Sequence, residues 1–205
     1  MIYVSIDIET TGLDPETCQI LQIGAAIENT RSVKSDMPTF QCIIEHDHVS
    51  GSPFALNMNR VILEKIGELE RADRADRSEI RKKHNIIPAN LVAKSFRMWL
   101  EANGVTAEEG SPVSITVAGK NFASFDKLFL QKLPGWNSLI RIKSRVIDPA
   151  VLCMDWENDK SLPNLDTCMQ RSQVEGSVTH DALQDAVDVI RVMRGITRNY
   201  TTIYF

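Results

Sequence analysis

Residues 3–14 read YVSIDIETTGLD, and this stretch decides how the rest of the chain is interpreted. Residues 2–8 are β-branched and apolar, the pattern of a central strand. The strand carries two carboxylates, Asp7 and Glu9. Residues two apart on a strand project from one face, so the acids stand side by side with Ile6 and Ile8 on the other face. Burying a charge is costly unless it is compensated. Two adjacent carboxylates also repel, and one takes up a proton unless a cation sits between them. Hard divalent cations such as Mg²⁺ and Mn²⁺ prefer such oxygen ligands. Taken alone, D-x-E on a strand is a weak signal for metal, because a strand end with solvent-facing acids reads the same way.

Outward from it, TTGLDPETCQ is a turn marked by Gly12 and Asp14-Pro15. Residues 20–29 and 39–46 read as a second and third strand, and the short connections predict an antiparallel start. Residues 55–85 are polar and helical, with Val61, Ile62, Lys65, Ile66 and Leu69 forming a stripe at helical spacing. Asp73–Arg77 and Glu79–Lys83 are spaced for i,i+4 pairing. This segment reads either as a solvated helix or as a basic edge that follows a phosphate backbone through Arg71, Arg74, Arg77, Arg81, Lys82 and Lys83. Interleaved acids count against the second reading. Residues 88–103 form an amphipathic helix, 113–119 a core strand, and SFDKLFLQKL a helix that stops before Pro134. SRVIDPAVL looks like a short strand running into a helix. A loop and short helix follow in SLPNLDTCMQR. Residues 179–196 are the last strong helix, with Thr179 as N-cap and Asp181 in the first turn, where an acid suits the helix dipole. With no linker-like stretch, 1–205 reads as one domain with a helical insertion at roughly 55–103.

The chain has 205 residues, 43% hydrophobic and 24% charged, ordinary for a soluble globular protein. No apolar run approaches the roughly 20 residues of a membrane span, and the first residues lack the basic region of a signal peptide. Cys18, Cys42, Cys153 and Cys168 are scattered without a C-x-x-C pair, which fits a reduced, cytoplasmic protein. A net charge of −4 argues against a protein that coats nucleic acid with a basic surface. It does not argue against a carboxylate-rich metal site.

Two further stretches join the first. AGKNFASFDKLFL places Asp126 just after a core strand, among Phe122, Phe125, Leu128 and Phe129. THDALQDAVDVI supplies His180 and Asp185. Five residues apart on a continuous helix is about 140°, so the two do not share a face. Both serve one site if His180 lies at or before the helix start and Asp185 one turn inside. Helical geometry does not choose a ligand among Asp181, Asp185 and Asp188. Ala182 and Ala186 imply close packing beside Asp185 and favour it.

The order D-x-E, then an aspartate near the middle of the sequence, then H-x-x-x-x-D resembles the DEDDh group of 3′→5′ exonucleases. That group lies in the DnaQ-like superfamily of the ribonuclease H-like fold. The resemblance is carried by SIDIETTGL and ILQIGAAI, by NFASFD, and by LPNLDTCMQR leading to THDALQDA. Residues 30–112 are largely unmatched.

The resemblance implies an α/β fold, a mixed and twisted five-stranded sheet with its first three strands antiparallel, flanked by helices. It implies two divalent ions, Mg²⁺ or Mn²⁺, held by Asp7, Glu9, Asp126 and Asp185. Asp7 would bridge both. Glu9 and Asp185 would complete the site of the ion that holds the attacking water. Asp126 would hold the second ion, partly through water, and His180 would be the general base. No tyrosine occupies this stretch, so the histidine variant is expected. Two ions about 3.5–4 Å apart suit the charge that builds up during phosphodiester hydrolysis. The 3′ nucleotide would be gripped by Thr10, Thr11, Gly12 and Leu13, with Leu13 either a wedge under the terminal base or a turn residue covering the core. Asn121 and Phe125 would position or pack. Lys120 stands where many relatives have histidine.

The expected activity is release of nucleoside 5′-monophosphates from single-stranded DNA or RNA 3′ ends. The alternative is a catalytically inactive nucleic-acid-binding module of the same fold. A homodimer, or a polymerase or repair partner, would be served by residues 88–103 or the apolar tail TTIYF.

Overall fold

The computed structural model describes residues 1–32 and 37–204, and the side chains of those up to 197. Strand β1 (Ile2–Thr10) pairs antiparallel with β2 (Ile20–Asn29), and β2 pairs antiparallel with β3 (Thr39–Glu45). Helices α1 (Pro53–Met58), α2 (Arg60–Arg71) and α3 (Arg77–His84) follow. They lead into β4 (Ile86–Pro88), parallel to β3, and α4 (Ala89–Ala102). The chain continues through β5 (Val113–Ile115) and β6 (Val117–Ala118) to α5 (Asp126–Leu130) and α6 (Trp136–Leu139). Last come β7 (Ile140–Ile142), α7 (Pro149–Cys153), α8 (Leu165–Arg171) and α9 (Ala182–Tyr204). The main sheet has the order β4-β3-β2-β1-β6, with β6 parallel to β1; β5 and β7 form a separate parallel pair. This is the mixed five-stranded sheet expected, with its first three strands antiparallel.

Helices cover both faces of the sheet, which is why β1 and β2 read as nearly continuous apolar runs. Val4, Ile6 and Ile8 of β1 pack in one cluster with Val92, Phe96 and Leu100 of α4 and Trp136 of α6. On the other face Tyr3 and Ala26 meet Val189, Ile190, Val192 and Ile196 of α9. Next to α9 on that face, α2 sets Ile62, Ile66 and Leu69 against Leu21, Ile43 and Ile86. Burial of this kind stabilises at roughly 25 cal/mol per Å² of apolar surface.

Several local expectations are corrected. The helical segment 55–85 is three helices, broken at Asn59 and over 72–76. Its end feeds β4, whose residues 86–87 fall between the two expected helical stretches and whose Pro88 opens the second. The strand expected over 113–119 breaks at Thr116, whose carbonyl accepts the Val4 N–H at 2.9 Å, so its halves join different sheets. The strand expected in SRVIDPAVL is a single bridge from Ile147 to Ala118. The helix expected in SFDKLFLQKL covers only 126–130. The i,i+4 pairs of α3 do not form, because better partners lie across the fold: Arg77 and Arg81 pair with Glu45, and Lys83 with Glu68. All four cysteines are free, three of them buried. Among the described residues no helix is long and apolar enough to cross a membrane. The tail TTIYF, expected to meet a partner, has its side chains outside the described residues.

Candidate metal centre

The centre is built on the end of β1. Asp7 stands opposite Gly24 of β2, and Glu9 opposite Gln22. Cross-strand partners share a face, so all four look toward α9. The Val4 N–H points toward β6, and by strand alternation so does the N–H of Ile8. But β6 has only two residues and stops at Ala118. The carboxylate of Asp126, in the first turn of α5, accepts the hydrogen bond from Ile8 instead, along with one from its own backbone N–H. A strand that ends early thus leaves a donor, and that donor holds Asp126 beside Asp7 and Glu9.

Helix α9 enters from above. A Cβ on Gly24 would lie 2.1 Å from the backbone of Ala182 and Leu183, so glycine there is what lets the helix start rest on the sheet. The side-chain oxygen of Gln22 accepts the Ala182 N–H at 3.1 Å. Asp181, not Thr179, caps the helix: its carboxylate accepts the Gln184 N–H at 3.0 Å and hydrogen bonds from Gln41 at 3.0 Å and 3.2 Å. Asp188 is buried and engaged by Gln184 and Arg191, both at 2.9 Å. That leaves Asp185, in the first turn. One of its oxygens accepts the Thr179 N–H at 3.3 Å. His180 precedes the helix with a left-handed backbone, φ 54°, an unfavourable conformation for a non-glycine residue. The reversal brings its ring back over the strand. Ligand atoms of Glu9, His180 and Asp185 all lie within 4.8 Å of one another. His180 is exposed; Glu9 and Asp185 are buried.

The electrostatics show how crowded the site is. Burial raises the carboxyl of Asp7 well above its usual range, and the charges of Asp126, Asp185 and Glu9 raise it further. Burial, with Asp185 next in weight, pushes Glu9 up to about 8. Asp126 is pushed up to about 7 by burial, despite its two backbone hydrogen bonds. Asp185 is raised by burial, partly offset by the Thr179 N–H and His180. Four carboxyl groups that resist ionising together are what a divalent cation relieves, and their oxygens are donors that hard cations accept.

The turn after β1 frames the centre. Thr10 donates its hydroxyl to the Gly12 carbonyl at 2.8 Å, and Thr11 accepts the Gln19 N–H at 2.9 Å. Gly12 is buried against Cys18 and Ser52. Leu13 is 84% exposed, so it does not cover the core. Asn121 also has a left-handed backbone, φ 59°. Its side chain accepts the Ser124 hydroxyl at 2.5 Å and its N–H bonds Asp148, so it braces the turn into α5, while Phe125 packs on Phe129. Lys120 is half-buried.

Sequence reasoning passed over Gly24, Gln22, Gln41 and Asn59. Asn59, at the α1–α2 junction, donates to the Thr10 carbonyl at 3.1 Å and hydrogen-bonds Glu9. It ties the insertion to the centre. Only the glycine inside ILQIGAAI carried a local signal, because glycine within a strand marks a close backbone approach.

No protein-family model matches the chain, and no curated protein does. Solved structures do. Cell-death related nuclease 4 (CRN-4) is 13% identical, with a TM-score of 0.61 over 97% of this chain and 64% of its own. The nuclease domain of 3′hExo, a DEDDh family member bound to rAMP, is 15% identical, with a TM-score of 0.57 over 97% of this chain and 92% of its own. The zinc ion-bound form of E. coli ExoI with single-stranded DNA is 14% identical, with a TM-score of 0.57 over 97% of this chain. The chain spans 64% of the length of the first and 40% of the last. At these identities the likeness is one of fold, and the fold is the ribonuclease H-like fold of DEDDh exonucleases.

Proposed function

We propose that this chain, as one domain over 1–205, is a DEDDh exonuclease that hydrolyses single-stranded DNA or RNA from the 3′ end. Nucleoside 5′-monophosphates are the product. The observation that carries the reading is the meeting of Glu9, His180 and Asp185 from opposite ends of the chain, within 4.8 Å, beside the raised carboxyls of Asp7 and Asp126.

Asp7, Glu9, Asp126 and Asp185 would hold two divalent ions, Mg²⁺ or Mn²⁺, which would supply Lewis-acid stabilisation of the charge that develops in phosphodiester hydrolysis. The protein's own residues do the rest. His180 accepts the proton of the attacking water on a ring nitrogen, for which an imidazole is suited at neutral pH. The backbone of Thr10 and Gly12 meets the terminal 3′ hydroxyl. Leu13, exposed beside them, slides under the terminal base. Asn121 keeps α5, and with it Asp126, in place. We place its action in the cytoplasm, a compartment that keeps free thiols such as its four cysteines reduced.

The test is cleavage of 5′-labelled single-stranded DNA and RNA oligonucleotides. The wild type should shorten them one nucleotide at a time with Mg²⁺ or Mn²⁺ and not with EDTA. Asp7→Ala should abolish turnover, and His180→Asn should slow it about 100-fold or more. Undiminished cleavage by Asp7→Ala would refute the mechanism. Metal binding and oligonucleotide binding without any cleavage would favour the inactive binding module.

A further inference from the structure

The insertion carries a second feature on the same face as the metal centre. Arg74, Arg77, Ser78 and Arg81 line an open cleft of about 540 Å³. Arg81 grips Glu45 with both nitrogens at 2.8 Å, and Arg77 reaches the same carboxylate at 3.3 Å. One carboxylate therefore serves two guanidiniums. Among the described residues no acid pairs with Arg74, and Asp73, Asp76 and Glu79 pair with none of the three arginines. The Nε of Arg77 is buried with no hydrogen-bond partner. A buried donor without an acceptor is costly, and here it sits in a cleft with about two uncompensated positive charges.

The sheet register places this cleft. Glu9, Gln22 and Ile43 lie abreast on β1, β2 and β3, on one face. Glu45 is two residues further along β3 and so on that face too. Neighbouring strands are about 4.8 Å apart and each residue advances about 3.3 Å, which puts Glu45 about 12 Å from Glu9. β1 and β3 run in the same direction, so the cleft and the turn after β1 open at the same end of the sheet.

We infer that the cleft binds a backbone phosphate of the strand whose 3′ end sits at the metal centre, a few nucleotides upstream. This rests on the exonuclease reading. Guanidinium forks match phosphate oxygens, and a phosphate here would accept from the exposed N–H groups of Arg74 and Arg77 and balance their charge. The cleft thereby sets a minimum substrate length for full affinity.

The experiment compares wild type and Arg74→Glu on labelled dT3 and dT12, by anisotropy in EDTA and by steady-state cleavage with Mg²⁺. Arg74 is exposed and unpaired, so folding should be unaffected, which thermal melting verifies. Arg74→Glu should weaken dT12 binding and raise its KM about fivefold or more, and leave dT3 unchanged. It should also lower the salt slope on dT12 by about 0.7 for each phosphate that is no longer neutralised. Arg77→Ala should act in the same direction. Equal affinity of variant and wild type for dT12, or an equal loss on dT3, overturns the inference and leaves the exonuclease reading intact. A selective loss on dT12 in a protein that cleaves nothing upholds the cleft and removes the exonuclease reading.

Discussion

The two faces of β1 are built from alternate residues of one nine-residue strand, and they act on stability in opposite directions. Val4, Ile6 and Ile8 lie in a dry cluster with Phe96, Leu100 and Trp136, where every contact favours the folded state. Asp7 and Glu9 lie with Asp126 and Asp185, where burial raises all four carboxyls and the neighbouring charges raise Asp7 and Glu9 further. The apolar face holds the strand in place against the repulsion on the other. The strain on the acidic face is in turn what a divalent cation would relieve on binding.

Ile6→Ala should have the largest effect. It should cost about 3–4 kcal/mol and lower Tm by about 10 °C, with turnover per folded molecule unchanged. A fall in turnover beyond the fall in folded protein would break the division between the faces. Gly24→Ala comes next. The added methyl collides with the backbone at the start of α9, so the helix must lift from Asp7. Turnover should drop about 100-fold with a smaller change in Tm; normal kinetics would show that the helix tolerates the shift.

The pH response sharpens the comparison further. Raised carboxyls bind more protons folded than unfolded between about pH 4 and the folded values, which Glu9 places at about 8. Stability of the metal-free protein should therefore fall as pH rises across that window. Glu9→Gln should raise its Tm at pH 8 by about 5 °C and leave it unchanged near pH 4. Mg²⁺ at about 100 times its Kd should add about 2.7 kcal/mol at pH 8 and much less at pH 5, where protons already occupy the site. Melting curves with and without Mg²⁺ at both pH values test this, and a flat pH profile without metal would contradict it. The smallest effect belongs outside both faces: Lys132→Ala, which breaks the exposed pair with Glu16, should cost under about 0.5 kcal/mol.

What could be read in advance follows from where the information sits. The pairing of Asp7 with Glu9 depends on strand alternation, and the separation of His180 from Asp185 on helical pitch; both are local, and both hold. The choice of Asp185 over Asp181 and Asp188 rested on neighbouring alanines, and the structure accounts for the other two as a cap and an ion-pair partner. β4 was illegible because Ile86–Pro88 is too short to interrupt a helical pattern. The break at Thr116 was illegible because VSITVAG is uniformly strand-like. The pairs of α3 were misread because Glu45 and Glu68, distant in sequence, outcompete the local acids. Gln22 and Gln41 gain their roles only from Asp181 and Ala182, far along the chain.

The seat of α9 on Gly24 also has a consequence in time. Glu9 is synthesised long before His180 and Asp185, which most of the described chain separates from it. Closing so long a loop is slow and unfavourable until the helix docks. Until then Asp7, Glu9 and Asp126 lack two of their companions. A nascent chain would thus carry no assembled carboxylate–histidine cluster until α9 has emerged.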